Sequence, residues 1–267
     1  MEDFRVRTID GFDLAAVITR GQTDDVIIWL HGISVDKDEY LGFFRDGALW
    51  FARQGPSSIR FDFRGHGESS GTPLDFTVVG QNLDVRAILN LAQQQFGPSV
   101  RMHIVAASFG APPAIFAAQW YPDAVLSVSL IAPVLSYERT FLQPETKWGK
   151  ELFSTENLEQ LDKTGRLYFS ESFYIGHQLV EEMKLINPAS FLTHLKQRVL
   201  VMHGDRDSMV PYMATVAACK GLERVRLITL KGADHGFVDA DDEDGILPTS
   251  VENKDRIFRL VQESVQA

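Results

Sequence analysis

The feature that most limits what this chain can fold into is a series of strand-length segments that are apolar along nearly their whole length. Residues 26–30, 58–63, 100–106, 125–131, 199–203 and 225–230 are of this kind. A strand wetted on one face alternates apolar and polar side chains, whereas a strand covered on both faces has no polar side to present. Segments with helical periodicity fall between them, at 41–53, 76–96, 111–120 and 212–220, and a last one follows at 250–265. This alternation predicts a mostly parallel sheet with helices on both faces. Two earlier segments, 4–9 and 12–19, alternate in polarity around Asp10-Gly11 and predict an antiparallel hairpin.

The rhythm breaks between Pro133 and Leu195. That stretch is amphipathic, aromatic and leucine-rich, with no clean parallel strand, and it is neither Gly/Ser-rich nor low in complexity. It reads as a cap inserted over the carboxyl edge of the sheet and not as a linker. The expected organisation is one core domain, 1–132 and 196–267, interrupted by a cap at 133–195. A chain of 267 residues, 45% of them hydrophobic, can bury such a core.

Charge narrows the range of partners. A net charge of −10 argues against nucleic acid or an anionic membrane surface. The single cysteine, Cys219, precludes an internal disulfide and suits a reducing cytoplasm. The chain opens with Met1-Glu2-Asp3 and no long apolar run follows, so neither a signal peptide nor a membrane span is read. A chain that had lost its leader would look the same. The acidic stretch 239–244 suggests calcium, but Gly245 would put Ala240 at the first ligand position of a calcium loop; a solvated acidic loop is preferred. The histidines do not group at ligand spacing, and neither a metal nor a cofactor is expected.

Ligands of open parallel sheets bind at the carboxyl ends of the strands, so chemistry should be sought there. The segment 100–105 runs into Ala106-Ala107-Ser108-Phe109-Gly110, followed by a helical pattern that carries Pro112 and Pro113 in its first turn. A strand that reverses this sharply into a helix needs small residues two before and two after the serine, and Ala106 and Gly110 supply them. The pattern for a nucleophile on such a turn is Gly-x-Ser-x-Gly, so Ala106 departs from it. Small-x-Ser-x-Gly alone also fits an ordinary strand-to-helix turn; the reading depends on partners.

A serine hydroxyl needs a base, best an imidazole near neutral pH, and that imidazole needs a carboxylate to fix its tautomer. His235, in Gly232-Ala233-Asp234-His235-Gly236, follows the last core strand. Asp207, in His203-Gly204-Asp205-Arg206-Asp207, follows the preceding strand; Asp205 is assigned to ordering that turn, and Asp234 is a rival too close in sequence to reach the ring in plane. The amides of Phe109 and Ile33 are the expected oxyanion donors, with Gly32 turning the backbone. His31 and His66 are read as residues that order glycine-punctuated loops, and His203 as packing beneath the acid loop. His103, His177 and His194 are read as surface or cap residues.

His31-Gly32, the run from Arg60 to Ser69, Ser108, His203-Gly204-x-x-Asp207-x-x-Val210-Pro211 and His235-Gly236 together closely resemble the α/β-hydrolase superfamily, over nearly all of the chain outside the cap. The resemblance implies an α/β-hydrolase fold with a mostly parallel eight-stranded sheet. It also implies Ser108 as nucleophile, Asp207 as acid, His235 as base, and Ile33 with Phe109 as oxyanion hole. The phrase at 61–71 and the modest cap are most similar to the cinnamoyl/feruloyl esterase-type and acyl-thioesterase-type serine hydrolases.

Cap residues Trp148, Tyr168, Phe169 and Tyr174 are expected to line the substrate site, the last three on a short hairpin formed by 167–169 and 173–175. Such a lining favours an apolar or aromatic acyl group over a sugar or phosphate. The leading expectation is an enzyme that cleaves small-molecule carboxylic esters through an acyl-enzyme. The alternative is a thioesterase or acyltransferase acting on coenzyme A or carrier-protein substrates. A carbon–carbon bond hydrolase, an aminopeptidase using cap glutamates such as Glu138 and Glu145, and a ligand-binding receptor rank below these. A homodimer is left open.

Overall fold

The computed structural model describes residues 1–239, 242 and 244–266. The chain opens with β1 (Glu2–Arg7), β2 (Asp13–Thr19) and β3 (Asp25–Leu30), then α1 (Phe43–Gln54) and β4 (Ser57–Phe61). It continues through α2 (Val78–Phe96), β5 (Arg101–Ala107), α3 (Ala111–Trp120) and β6 (Val125–Ile131). An insertion follows, with a π-helical turn at Glu138–Leu142, α4 (Lys147–Leu152), α5 (Thr155–Thr164), β7 (Leu167–Tyr168), β8 (Tyr174–Ile175), α6 (His177–Leu185) and α7 (Pro188–Leu192). The last elements are β9 (Arg198–Gly204), α8 (Tyr212–Cys219), β10 (Val225–Leu230) and α9 (Pro248–Gln266).

The main sheet has eight strands in the order β1-β2-β4-β3-β5-β6-β9-β10, and β7 pairs only with β8. Every neighbouring pair from β4 to β10 is parallel, while β2 runs antiparallel to both β1 and β4. The unbroken apolar strands follow from this arrangement. Val26, Ile28 and Leu30 of β3 face a core shared with α2, α3 and the insertion. Ile27 and Trp29 of the same strand face a second core built with α1 and α9. α1 buries Phe43, Phe44, Gly47, Ala48 and Phe51, one stripe of a 3.6-residue repeat. Gly47 lets that stripe close on the indole, since a Cβ there would lie 2.6 Å from Trp29.

From β3 the chain steps outward to β4 and then crosses back over β3 to β5. The carboxyl ends of β3 and β5 therefore diverge at the reversal of winding, which is where open sheets leave a crevice. The insertion adds no strand to the main sheet and joins the β3-side core through rings. Phe173 lies 4.4 Å from His66 and 6.1 Å from Phe76, centroid to centroid, and Tyr137 lies 5.4 Å from Phe109. No helix among the described residues is long and apolar enough to cross a membrane.

Three expectations are corrected. The first strand ends at Arg7 and not at residue 9, because the turn is longer than Asp10-Gly11: Thr8 N–H donates to Phe12 O and Gly11 N–H to Thr8 O. His103 is neither a surface nor a cap residue. It lies buried on β5, its ring bonded to Ser127 Oγ at 2.8 Å and Asp25 Oδ1 at 3.2 Å, so a polar ring inside an apolar strand is satisfied by neighbouring strands. In the acidic stretch, Ala240, Asp241 and Glu243 lie outside the described residues, but Asp242 is buried and accepts the amides of Ile246 and Leu247. One of its carboxylates is thus a backbone organiser and not a solvated charge.

A buried ion pair pins α2 to the loop after β4. Arg64 donates to Asp84 Oδ1 from Nε at 2.9 Å and Nη2 at 2.7 Å, and to Asp10 Oδ2 from Nη1 at 2.6 Å. Its side chain is 4% exposed and that of Asp84 is fully buried. Removing Asp84 leaves the buried Arg64 Nε–H without its acceptor and the guanidinium with only the partly exposed Asp10 as counter-charge. Asp84→Ala should cost ~3–5 kcal/mol in urea unfolding; a loss below ~1 kcal/mol, the range of an exposed ion pair, would show that the pair contributes little.

Candidate active site

β5 ends at Ala107, and Ser108 follows with φ +48°, in the left-handed region that side chains other than glycine rarely occupy. The chain then passes through the short helical turn Ser108–Gly110 into α3. Gly110 makes this packing feasible, because a Cβ there would lie 2.3 Å from Leu30 O and 2.7 Å from His31 O. Ala106, where the nucleophile pattern has glycine, is fully buried in register with Leu30 and Leu130. A methyl group fits between those strands.

Ser108 Oγ lies 3.0 Å from His235 Nε2, and His235 Nδ1 lies 2.8 Å from Asp207 Oδ2. The three predicted residues therefore form one hydrogen-bonded chain. The Asp207 side chain is fully buried and every direction around it is used. Oδ2 also meets His203 Nε2 at 2.9 Å, and Oδ1 accepts the amides of Met209 and Val210 at 2.9 and 2.7 Å. Burial alone would raise its pKa, but the facing His235 ring and the bonds from both imidazoles outweigh burial and hold it well below the usual carboxylate range. Burial opposes protonation of His235, and the Asp207 charge and hydrogen bond overcome that, raising its pKa above the ordinary 6.5. With Nδ1–H directed at the carboxylate, Nε2 presents its lone pair to the serine hydroxyl. This pair can take up the serine proton.

The rival acids hold backbone. Asp205 Oδ1 accepts the Gly232 amide at 2.6 Å. Asp234 Oδ1 accepts the amides of Ser208 and His235, both at 2.7 Å, tying the acid loop to the histidine loop.

The loop after β3 lies alongside. An ideal Cβ on Gly32 would be 3.2 Å from Ser108 Cβ, so Ile33 and Phe109, the predicted oxyanion donors, follow two backbone segments in contact. His31 and His66 fasten this loop. His31 Nδ1 faces Gly32 O at 2.7 Å while Nε2 accepts the Phe63 amide at 2.9 Å. His66 Nδ1 faces Arg64 O at 3.2 Å while Nε2 accepts the Ser34 amide at 3.3 Å. Each ring must be neutral to accept an amide. Asp62, fully buried, accepts the Lys37 amide at 2.7 Å, the Lys37 ammonium at 3.0 Å and the Glu68 amide at 2.9 Å.

A cavity of about 380 Å³ opens beside Ser108 and His235, with Ile33, Val134, Phe141, Trp148 and Met209 among its walls. Trp148 lines this cavity. Tyr168, Phe169 and Tyr174 are not among the lining residues. The expected hairpin exists, pairing Leu167 with Ile175 and Tyr168 with Tyr174, but its buried residues are Leu167 and Ile175. Two-residue alternation then turns both tyrosines outward; Tyr174 lies under the Arg166 guanidinium at 4.6 Å. Phe169 stands behind Trp148, 6.0 Å away. Sequence reasoning missed Glu39 and Tyr40, which line the cavity from a polar loop whose spacing carries no periodic signal.

Residues 27–247, well over half of the chain, match the alpha/beta hydrolase family. Among solved structures, the chain is similar to Est1E from Butyrivibrio proteoclasticus with ferulic acid bound, at 20% identity and a TM-score of 0.79, covering 99% of this chain and 100% of that one. It is similar to alpha/beta hydrolase domain-containing protein 10 from mouse, at 18% identity and a TM-score of 0.71, covering 100% and 99%. It is also similar to the Pyrococcus furiosus esterase PF2001, at 20% identity and a TM-score of 0.71, covering 99% and 91%. At these identities the likeness is one of fold. No curated protein sequence matches the chain significantly.

The two loop histidines make stability sensitive to acid. Burial lowers His31 to about 4 and His66 to about 3, the latter helped by repulsion from His31. The unfolded chain, with histidines near 6.5, binds protons first as pH falls. The loss of stability should begin near pH 6.5 and continue down to about 4 for His31 and about 3 for His66. His235, raised instead, works in the opposite direction. His66→Gln keeps an acceptor for the Ser34 amide without a titrating ring, so it should flatten the fall in unfolding free energy between pH 6.5 and 4. An unchanged slope would remove His66 as a source.

Proposed function

This chain belongs to the alpha/beta hydrolase family, and from that premise we propose that it hydrolyses carboxylic esters of apolar or aromatic acids through an acyl-enzyme on Ser108. The observation that carries the reading is the unbroken hydrogen-bonded chain from Ser108 Oγ through His235 to Asp207 at the wall of a cavity. Ser108 Oγ attacks the acyl carbon while His235 Nε2 takes the hydroxyl proton, and the carbonyl oxygen becomes an oxyanion held by the amides of Ile33 and Phe109. When this tetrahedral species collapses, the bond to the alkoxy oxygen breaks and the departing alcohol takes the proton from His235. Water then adds to the acyl-enzyme, giving its proton to His235, and the second collapse returns that proton to Ser108 and frees the acid. Asp207 stays ionised throughout and stabilises the imidazolium.

The walls support the substrate class. Phe141 and Trp148 come from the insertion, which acts in this reading as a cap, and with Ile33, Val134 and Met209 they offer an apolar bed for the acyl group. Est1E carries bound ferulic acid, so a hydroxycinnamoyl ester is a fitting first substrate to try. The lining residues include Glu39, Asp234 and Asp239 but neither lysine nor arginine. Carboxylates repel a polyanionic leaving group, which favours alcohol esters over coenzyme A thioesters.

A panel of p-nitrophenyl butyrate, methyl ferulate and butyryl-coenzyme A should show turnover of the two esters above that of the thioester. Ser108→Ala should lower kcat by at least about 10⁴-fold while the protein stays folded; retention of ester turnover would overturn the reading. For the wild type, kcat/KM should fall at acid pH with an apparent pKa above 6.5, as His235 becomes protonated. Trp148→Ala should change the ratio of ferulate to butyrate turnover, and Tyr168→Ala should leave it unchanged.

A further inference from the structure

Glu39 is held in a backbone conformation that its side chain does not favour. Its φ of 60° and ψ of 175° lie in a region otherwise almost confined to glycine. Glu39 does cap the short helical turn Tyr40–Gly42, accepting the Tyr40 amide at 3.1 Å. A cap alone would not need this strain, because capping residues ordinarily sit in the extended region. What the conformation achieves is placement. Oε2 accepts the Gly32 amide at 2.8 Å, and a Cβ built on Gly32 would lie 3.7 Å from that same oxygen and 3.7 Å from Ser108 Oγ. The carboxylate therefore sits in the wall of the cavity, on the oxyanion loop, close to the serine.

Two consequences follow for the chemistry, both resting on the hydrolytic reading of Ser108. The Gly32 amide, fixed by Glu39, is not available to substrate, and the peptide that carries it sets the direction of the next amide, that of Ile33. Glu39 and His235 also line the same cavity, and the Glu39 charge acts on the ring. The charges around that ring are Asp207 from the loop after β9, Asp234 from its own loop, and Glu39 from the loop after β3; Asp36 in turn faces Glu39.

We propose that Glu39 is a positioning residue of this site, locking Gly32 so that the Ile33 amide meets the oxyanion and giving His235 a second counter-charge beside Asp207. The strained backbone is then maintained for function. The pKa directions agree: the Glu39 charge helps to raise His235, and His235 in turn opposes the rise that burial imposes on Glu39. Tyr40 completes the arrangement, its ring 2.8 Å from where a Cβ on Gly236 would be, next to the histidine.

Two variants separate function from structure. Glu39→Gly places the residue best suited to φ 60° at this position, so the melting temperature should hold or rise, while kcat on p-nitrophenyl butyrate should fall by about tenfold or more with KM little changed. Glu39→Gln keeps a carbonyl acceptor for the Gly32 amide and removes the charge. It should recover much of the lost kcat, and the acid limb of kcat/KM should move to lower pH by about half a unit, as expected when a negative charge beside an imidazolium is removed. Wild-type kcat and an unmoved acid limb in both variants would overturn the proposal, as would a loss in Glu39→Gly matched by a fall in melting temperature. Ser108→Ala serves as the control: if it retains turnover, the reading of the site has failed, whereas an inactive Ser108→Ala beside fully active Glu39 variants counts against Glu39 alone.

Discussion

The arrangement depends on one close approach, that of the α3 amino terminus to the carboxyl end of β3 at Gly110. A methyl group there would overlap the carbonyl oxygens of Leu30 and His31. With hydrogen at that position, the chain leaving β5 can turn within one residue, and Ser108 takes the left-handed conformation that makes the turn possible. The serine then stands where β3 and β5 part, at the start of a helix whose first amides have no partner within it. The loop after β3 is in contact for the same reason, since it begins where Gly110 presses.

The strain is not confined to Ser108. Of the non-glycine residues with positive φ among those described, Ser34, Glu39, Ser108 and Ala132 line the cavity, and Leu41 and Phe237 adjoin its lining residues Tyr40 and Gly236. Conformations of this kind persist only where the surroundings over-determine them. Here the surroundings are fixed acceptors. Asp62 and His66 grip the loop after β3, Asp207 and Asp234 grip the loop after β9, and Ser108 O accepts the Val134 amide beyond β6.

The sequence made some of this legible and hid the rest, for physical reasons. The two-sided core could be read because a strand covered on both faces must be apolar, and Ile27, Ile28 and Trp29 are. Ser108, Asp207 and His235 could be located because each follows such a strand and has small or turn-forming neighbours. His103 was misread because polarity in one residue does not reveal that Ser127 and Asp25 lie across the ladder to satisfy it. Tyr168 and Tyr174 were misplaced because an aromatic pair on a two-residue strand fits either face, and only the burial of Leu167 and Ile175 decides which face turns inward. Glu39 left no trace, since its conformation is set by tertiary contacts and its spacing resembles any polar loop.

The balance of charge around the histidine follows from these placements. In the reaction proposed for this site, an imidazolium formed during turnover must be stabilised, yet the oxyanion forming nearby must not be repelled. Asp207 meets the first need from the far side of the ring, with His203 and two amides satisfying its remaining lone pairs. Glu39 stands on the loop after β3, and two backbone amides direct their dipoles at its carboxylate. In the role proposed for Glu39, those amides draw its charge toward the loop backbone, so the carboxylate would favour the imidazolium at smaller cost to the oxyanion. A bare acid at the same position, without Gly32 and Tyr40 behind it, would oppose the reaction it adjoins.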